Sequence, residues 1–269
     1  MNLIPKPSND RMSAVQLQMP AHLAQSYNSK AQQARVVTEA WGKTELFCAN
    51  CNSSSLGETP ANHRAIDFIC ANCSAPFQLK AKTGVIGKTI QDGAYSAMLQ
   101  AIREDRTPNL LVMRYAFPTW RVMDLILIPS FAFPESAIIK RNPLSPTARR
   151  AGWIGCNIDL SRIAPEARIS VIAASEPTSP AKVRASYERL KPLKEIKAAK
   201  RGWTLDVLNI VRSLGKMEFA NEDIYRYDRE LEQLHPDNRN VRPKIRQQLQ
   251  VLRDAGLLLH VEHGSWRIA

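Results

Sequence analysis

No apolar run in this chain of 269 residues approaches the roughly 18 needed to span a bilayer. The opening residues, MNLIPKPSNDRMS, lack the apolar core of a secretory signal. The expectation is therefore a cytoplasmic protein with reduced thiols and no membrane partner. Acid is in short supply: 25 Asp and Glu stand against 37 Lys and Arg, a net charge of +12 with pI ≈ 9.7. That balance suits a polyanionic partner, although many solvated surfaces are basic. Cysteine is scarce as well, but four of the five cysteines fall into two pairs.

Those pairs, Cys48/Cys51 and Cys70/Cys73, each leave the two-residue gap that lets a tight knuckle aim both sulfurs at one ion. Eighteen residues lie between them. The pattern reads as a four-cysteine zinc ribbon, against two disulfides or four unrelated thiols. Four thiolates leave no open coordination position, so the ion is structural and any catalysis lies elsewhere.

The flanks of the second pair read as strands, Arg64 to Cys70 and Ala75 to Thr83, with Cys70-Ala-Asn-Cys73 as the turn between them. On the second strand the two-residue period puts Gln78, Lys80 and Lys82 on one face and Phe77, Leu79 and Ala81 on the other. Asp67 then lies across from or diagonal to the polar face. A carboxylate, an amide oxygen and a lysine could hold Mg²⁺, with Mn²⁺ as a substitute, and support attack on a phosphodiester. A solvated Lys/Gln face fits the same spacing.

These residues resemble the D-x(n)-(D/E)-x-K signature of the restriction-endonuclease-like nucleases, and with the zinc knuckles they resemble the DpnI-type methyl-directed (type IIM) restriction endonucleases. The likeness runs through SKAQQARVVTEAW, AIDFIC, FQLKAKTG, IQDGAY, LSPTARRAGWIGCNIDLS, RGWTLDVLN and KIRQQLQVLRD, leaving only the first twenty or so residues outside it. It implies a Mg²⁺-dependent endonuclease acting on duplex DNA at GATC containing N6-methyladenine, with Asp67, Gln78 and Lys80 as its catalytic centre. It also implies an α/β core: a mixed central sheet with flanking helices and a four-cysteine zinc insertion. Where the family carries an acid, this chain has Gln78. That departure implies weaker metal binding, a shifted metal preference or inactivity, with Glu39 on the first helix as a candidate supporting acid.

In chain order, a tail to about residue 20 is expected to be loose. A catalytic domain is expected over 21–180, a basic connecting segment over 181–201 and a winged helix over 202–269. Leu23, Tyr27, Ala31, Ala34, Val37 and Trp41 argue one helix from Ala21 to Gly42. A second helix is expected over Ile90 to Glu104, buried strands over Leu110 to Phe117 and Arg121 to Pro129, a short helix at FPESAIIK and a strand at ARISVIAA. The segment LSPTARRAGWIGCNIDL combines Arg149 and Arg150, suited to phosphates, with Trp153 between two glycines. Trp153 reads equally as a core residue in a tight bend or as an exposed apolar face; the resemblance makes it the reader of the adenine methyl. Cys156 reads as a packed hydrophobe.

The basic run of 181–201 is either a DNA-backbone contact or a solvated helix face. Beyond it, a helix from Trp203 to Leu214, a second helix capped by Asn221 and a third running from Pro243 toward Gly256 precede two short strands around His263-Gly264. Three helices and a hairpin make a winged helix. Its third helix would offer Arg242, Lys244, Arg246, Gln247, Gln248, Gln250 and Arg253 to the major groove, and the wing His263, Ser265 and Arg267 to phosphates. Two functions follow: an endonuclease, or a non-cleaving zinc-ribbon and winged-helix regulator on the same scaffold. The sequence fixes no oligomeric state, and a monomer is compatible with every feature.

Overall fold

The computed structural model describes residues 15–59 and 65–269. The strands in chain order are β1 (Gly57–Glu58), β2 (Phe68–Ile69), β3 (Pro76–Lys82), β4 (Thr89–Ala94), β5 (Asn109–Ala116), β6 (Arg121–Ile128), β7 (Ile138–Lys140), β8 (Gly155–Asp159), β9 (Ile169–Ala173), β10 (Glu176–Pro177), β11 (Glu218–Ala220), β12 (Leu258–Glu262) and β13 (Ser265–Ile268). The helices are α1 (Lys30–Glu45), α2 (Tyr95–Arg103), α3 (Pro180–Leu190), α4 (Ala198–Ser213), α5 (Asn221–Tyr225), α6 (Asp228–Leu234) and α7 (Val241–Asp254).

The central sheet runs β1-β2-β3-β5-β6-β9-β10, with β3 and β5 parallel and the other neighbours antiparallel. Such a mixed sheet must be covered on both faces, and β5 accordingly buries Leu110 through Met113 without interruption. α1 lies over β3, and α3 packs on β9. A second sheet, β4-β8-β7, stands beside the first, with Asp92 of β4 meeting Lys80 of β3. The C-terminal unit is α4 to α7 with a small sheet ordered β11-β13-β12.

Several expectations are corrected. Residues 15–20 are not loose: Met19 is buried and its N–H donates to the Trp120 carbonyl, while the Trp41 indole donates to the Gln16 carbonyl. The remainder of that tail lies outside the described residues, as does Arg64. The single helix from Ala21 is two pieces, a 3₁₀ segment Ala21–Ser26 and then α1, because the extended residues Tyr27 and Ser29 separate them. IQDGA is strand β4, since pairing with β8 outweighs its local preference; helix α2 starts only at Tyr95. FPESAIIK is a single 3₁₀ turn and then β7.

The stretch 181–201 is no free connection. Arg184 donates from Nε to the Cys48 carbonyl at 3.0 Å and from a terminal nitrogen to the Ser53 carbonyl at 2.8 Å, and Lys191 donates to the Asn50 carbonyl at 3.2 Å. Arg201 is buried and grips Asp105 with two bonds of 2.5 and 2.8 Å. These cations hold the protein together rather than facing outward, whereas Lys182, Lys194, Lys197 and Lys200 are exposed.

Candidate active site

The turn after β2 closes through the Ser74 N–H to the Cys70 carbonyl at 2.8 Å, which places Cys70 and Cys73 side by side. The first knuckle closes through the Cys48 N–H to Ser53 at 3.2 Å and is held from outside by Arg184. Together they bring all four sulfurs within 4.8 Å of one another, with Cys48–Cys73 at 3.6 Å and Cys51–Cys70 at 3.5 Å. A tetrahedral zinc with bonds of about 2.3 Å requires sulfurs about 3.8 Å apart. The cluster therefore fits that ion, and the four thiols are free rather than disulfide-bonded. Burial pushes the Cys48 thiol up; at Cys70 burial acts the same way but is outweighed by backbone N–H donors of Cys73 and Asn72, bringing that thiol to about 7.

From this staple β3 runs into a cavity of about 1070 Å³ whose wall includes Gln78, Lys80, Asp92, Arg150 and Trp153. Residues from β3, β4 and the loop before β8 thus meet in one place. Trp153 is half-buried and on the wall, not in the core. The tight turn at Gly152, whose φ of +76° favours glycine, leads into it. A Cβ on Gly155 would sit 2.8 Å from the indole ring, so only glycine lets the ring lie flat there. The Arg150 guanidinium stacks over the ring at 4.5 Å from its centroid. Arg149 is exposed on the same loop.

Asp67 is placed differently from Gln78 and Lys80. It continues the β2–β3 ladder, its N–H donating to the Phe77 carbonyl at 2.9 Å, which sets it opposite Gln78. Its Oδ2 accepts the Leu79 N–H at 2.7 Å, so one carboxylate oxygen caps the edge of β3 and Asp67 is not part of the cavity wall. Glu39 lies on a separate cavity of about 500 Å³ that it shares with Lys80 and Lys82, and it pairs with Arg35 at 2.8 Å. The acid that Lys80 meets is Asp92, at 2.7 Å from Nζ to Oδ1. Sequence reading missed Asp92 because it put IQDGAY on a helix; read as a strand, the same stretch directs an acid toward Lys80.

Cys156 is buried, as expected of a packed hydrophobe, and lies directly opposite Asp92 in the β4–β8 register. Burial and the Asp92 charge push its thiol up to about 11, against the nearby cations Lys80 and Arg141.

In the C-terminal unit, Arg242, Arg246, Gln250 and Arg253 recur at helical spacing and form one exposed face of α7, with Gln247 beside them. Gln248 does not belong to that face. It is 3% exposed and accepts the Thr204 hydroxyl at 2.7 Å, because its position lies one step from Leu249 on the side packed against α4. Lys244 is drawn partly into the seam between the two units, where burial and Lys200 lower its pKa. On the wing, His263 is exposed and Arg267 pairs with Glu218 at 2.6 Å. The second helix is broken into α5 and α6, and Asn221 caps nothing; it accepts the Trp266 indole at 2.9 Å while Asp223 caps α5.

The chain thus joins a mixed sheet with flanking helices and a cysteine cluster that fits a metal to an appended helix-turn-helix unit, the class of two-part proteins that carry their own DNA-binding domain. The chain belongs to the Dam-replacing family: the DpnI model of that family matches residues 15–196, and its Dam-replacing helix-turn-helix domain matches residues 199–268. Membership makes it a restriction-type nuclease with DNA as its partner. No helix among the described residues is long and apolar enough to cross a membrane.

Proposed function

We propose that the protein is a methylation-dependent endonuclease that hydrolyses duplex DNA at GATC containing N6-methyladenine, with zinc in the cysteine cluster and Mg²⁺ or Mn²⁺ at the cavity. The observation that carries the reading is the sharing of one cavity wall by Lys80, Gln78 and Trp153. The wall offers oxygen donors, which suit a hard divalent ion that would polarise the phosphodiester and lower the pKa of a bound water. Gln78 would hold that ion from the wall, Asp67, which sits off the wall but opposite Gln78 in the β2–β3 ladder, would reach it through the oxygen that does not accept the Leu79 amide, and Lys80 would neutralise charge developing on the phosphate. Trp153 presents an apolar face to a methyl group that would otherwise project into groove water, with Arg149 and Arg150 beside it for phosphates. The exposed face of α7, with Arg242, Arg246, Gln247, Gln250 and Arg253, would read the major groove.

The test is incubation of the zinc-loaded protein with fully methylated, hemimethylated and unmethylated GATC duplexes in Mg²⁺, Mn²⁺ or EDTA. Cutting confined to methylated duplexes and abolished by EDTA is the expected result. Binding of methylated duplexes with no cutting in either metal would instead leave a methyl-DNA-binding regulator on a nuclease scaffold.

A further inference from the structure

Asp92 is the only carboxylate among the described residues that line the Trp153 cavity. Its side chain is 8% exposed, against 28% for Lys80. A carboxylate so withdrawn from water requires compensation by cations or donors. Among the described residues the one partner it finds is Lys80, at Oδ1. No backbone N–H among the described residues reaches it, in contrast to Asp67, whose Oδ2 accepts the Leu79 amide. The β4–β8 pairing changes register between Asp92 and Ala94, and irregularities of this kind re-aim a side chain from its ladder position. The same wall carries Gln78, whose amide brings an oxygen but no charge.

We propose that Asp92 is a ligand of the divalent ion and supplies, from the second sheet, the negative charge that Gln78 does not. The inference rests on the nuclease reading above. Lys80, which pairs with the Asp92 carboxylate, would be free to turn toward the phosphate if that carboxylate served the ion.

The experiment is titration of the zinc-loaded full chain with Mn²⁺, followed by the loss of the free-ion electron paramagnetic resonance signal, alongside cleavage of methylated GATC. Asp92→Asn is expected to weaken Mn²⁺ binding at least tenfold, and Asp92→Glu, which keeps the charge, to retain most of it. Adding Gln78→Glu to Asp92→Asn is expected to recover binding, a rescue that a misfolded variant would not give; equal thermal unfolding of the variants checks this independently. Unchanged Mn²⁺ binding in Asp92→Asn, with cleavage lost, would overturn the inference and leave Asp92 as a positioning residue for Lys80, with the nuclease reading intact. A wild-type chain that neither binds Mn²⁺ nor cuts would overturn both.

Discussion

The cysteine cluster and the cavity wall adjoin along the same strand, yet they are assembled in different ways. The cluster draws its four sulfurs from two knuckles within one short stretch, each closed by its own backbone hydrogen bond. The wall draws on β3, β4, α2 and the loop before β8, which meet only when two sheets stand side by side. A locally closed site depends on its ion; a site assembled from distant segments depends on the whole fold. Breaking the first should damage stability and activity together, whereas changing the second should damage activity far more than stability.

The largest separation of those effects is expected from Cys48→Ser against Lys80→Ala. Loss of one thiolate from a structural zinc site removes binding energy that is also folding energy, so Cys48→Ser or exhaustive chelation should cost several kcal/mol, on the order of what zinc sites contribute to small domains. The hairpin β2–β3 would loosen, and cleavage would fall with it. Lys80→Ala should lower the cleavage rate roughly 10³-fold, typical of losing one electrostatic contact to the transition state, and, because it leaves the withdrawn Asp92 carboxylate without its cation, should lower the unfolding temperature, though by less than Cys48→Ser. Thermal unfolding and single-turnover cleavage of the two variants side by side decide the matter; a Lys80→Ala protein as unstable as Cys48→Ser would erase the distinction.

A smaller effect is expected at the methyl-facing part of the wall. Burial of one methyl is worth about 1 kcal/mol, or roughly fivefold, so Trp153→Ala should reduce the preference for fully methylated over unmethylated DNA by one to two such factors while unfolding normally. Gly155→Ala tests the same contact from behind, because its new Cβ would meet the indole 2.8 Å away and displace it. Its loss of preference should be partial. If Gly155→Ala cuts both substrates as wild type does, the ring's orientation plays no part in selection.

Smaller again is the contrast within α7. Gln248→Ala leaves the buried Thr204 hydroxyl without its acceptor and should cost about 1–3 kcal/mol of stability. Gln250→Ala, on the exposed face, should leave stability within about 0.5 kcal/mol and weaken DNA binding instead. Denaturant unfolding and duplex binding at one fixed salt concentration separate the two.

What could be read from sequence follows the same division. The cysteine pairs, the strands β5, β6 and β9 and the ending of α7 before Gly256 are encoded by neighbours a few residues apart, through spacing, periodicity and turn chemistry. Gln78 and Lys80 were legible because one strand fixes their common face. Asp92 was not, since what makes IQDGA a strand is β8, more than sixty residues away, and nothing in the local pattern shows it. Gln248 failed for a related reason: Gln is an ordinary surface residue, and only packing of α7 on α4 makes its position internal. Trp153, balanced between core and surface by its pattern, was decided by where the loop comes to rest.

Cys156 gives the smallest expected effect and the most direct comparison of the two regions. It lies opposite Asp92 in the β4–β8 register, buried, with burial and Asp92 pushing its thiol up to about 11. At pH 8 only about one thiol in a thousand would be ionised, as a three-unit gap requires, and the thiolate is the reactive form. Alkylation of the zinc-loaded protein at pH 8, read by mass spectrometry of its peptides, should therefore leave Cys156 unmodified. Chelation should expose Cys48, Cys51, Cys70 and Cys73 to label first, because their site is held by the ion, and Cys156 only when the fold itself opens. Labelling of Cys156 together with the other four would mean that the wall depends on the zinc as fully as the cluster does, and the two regions would be one cooperative unit.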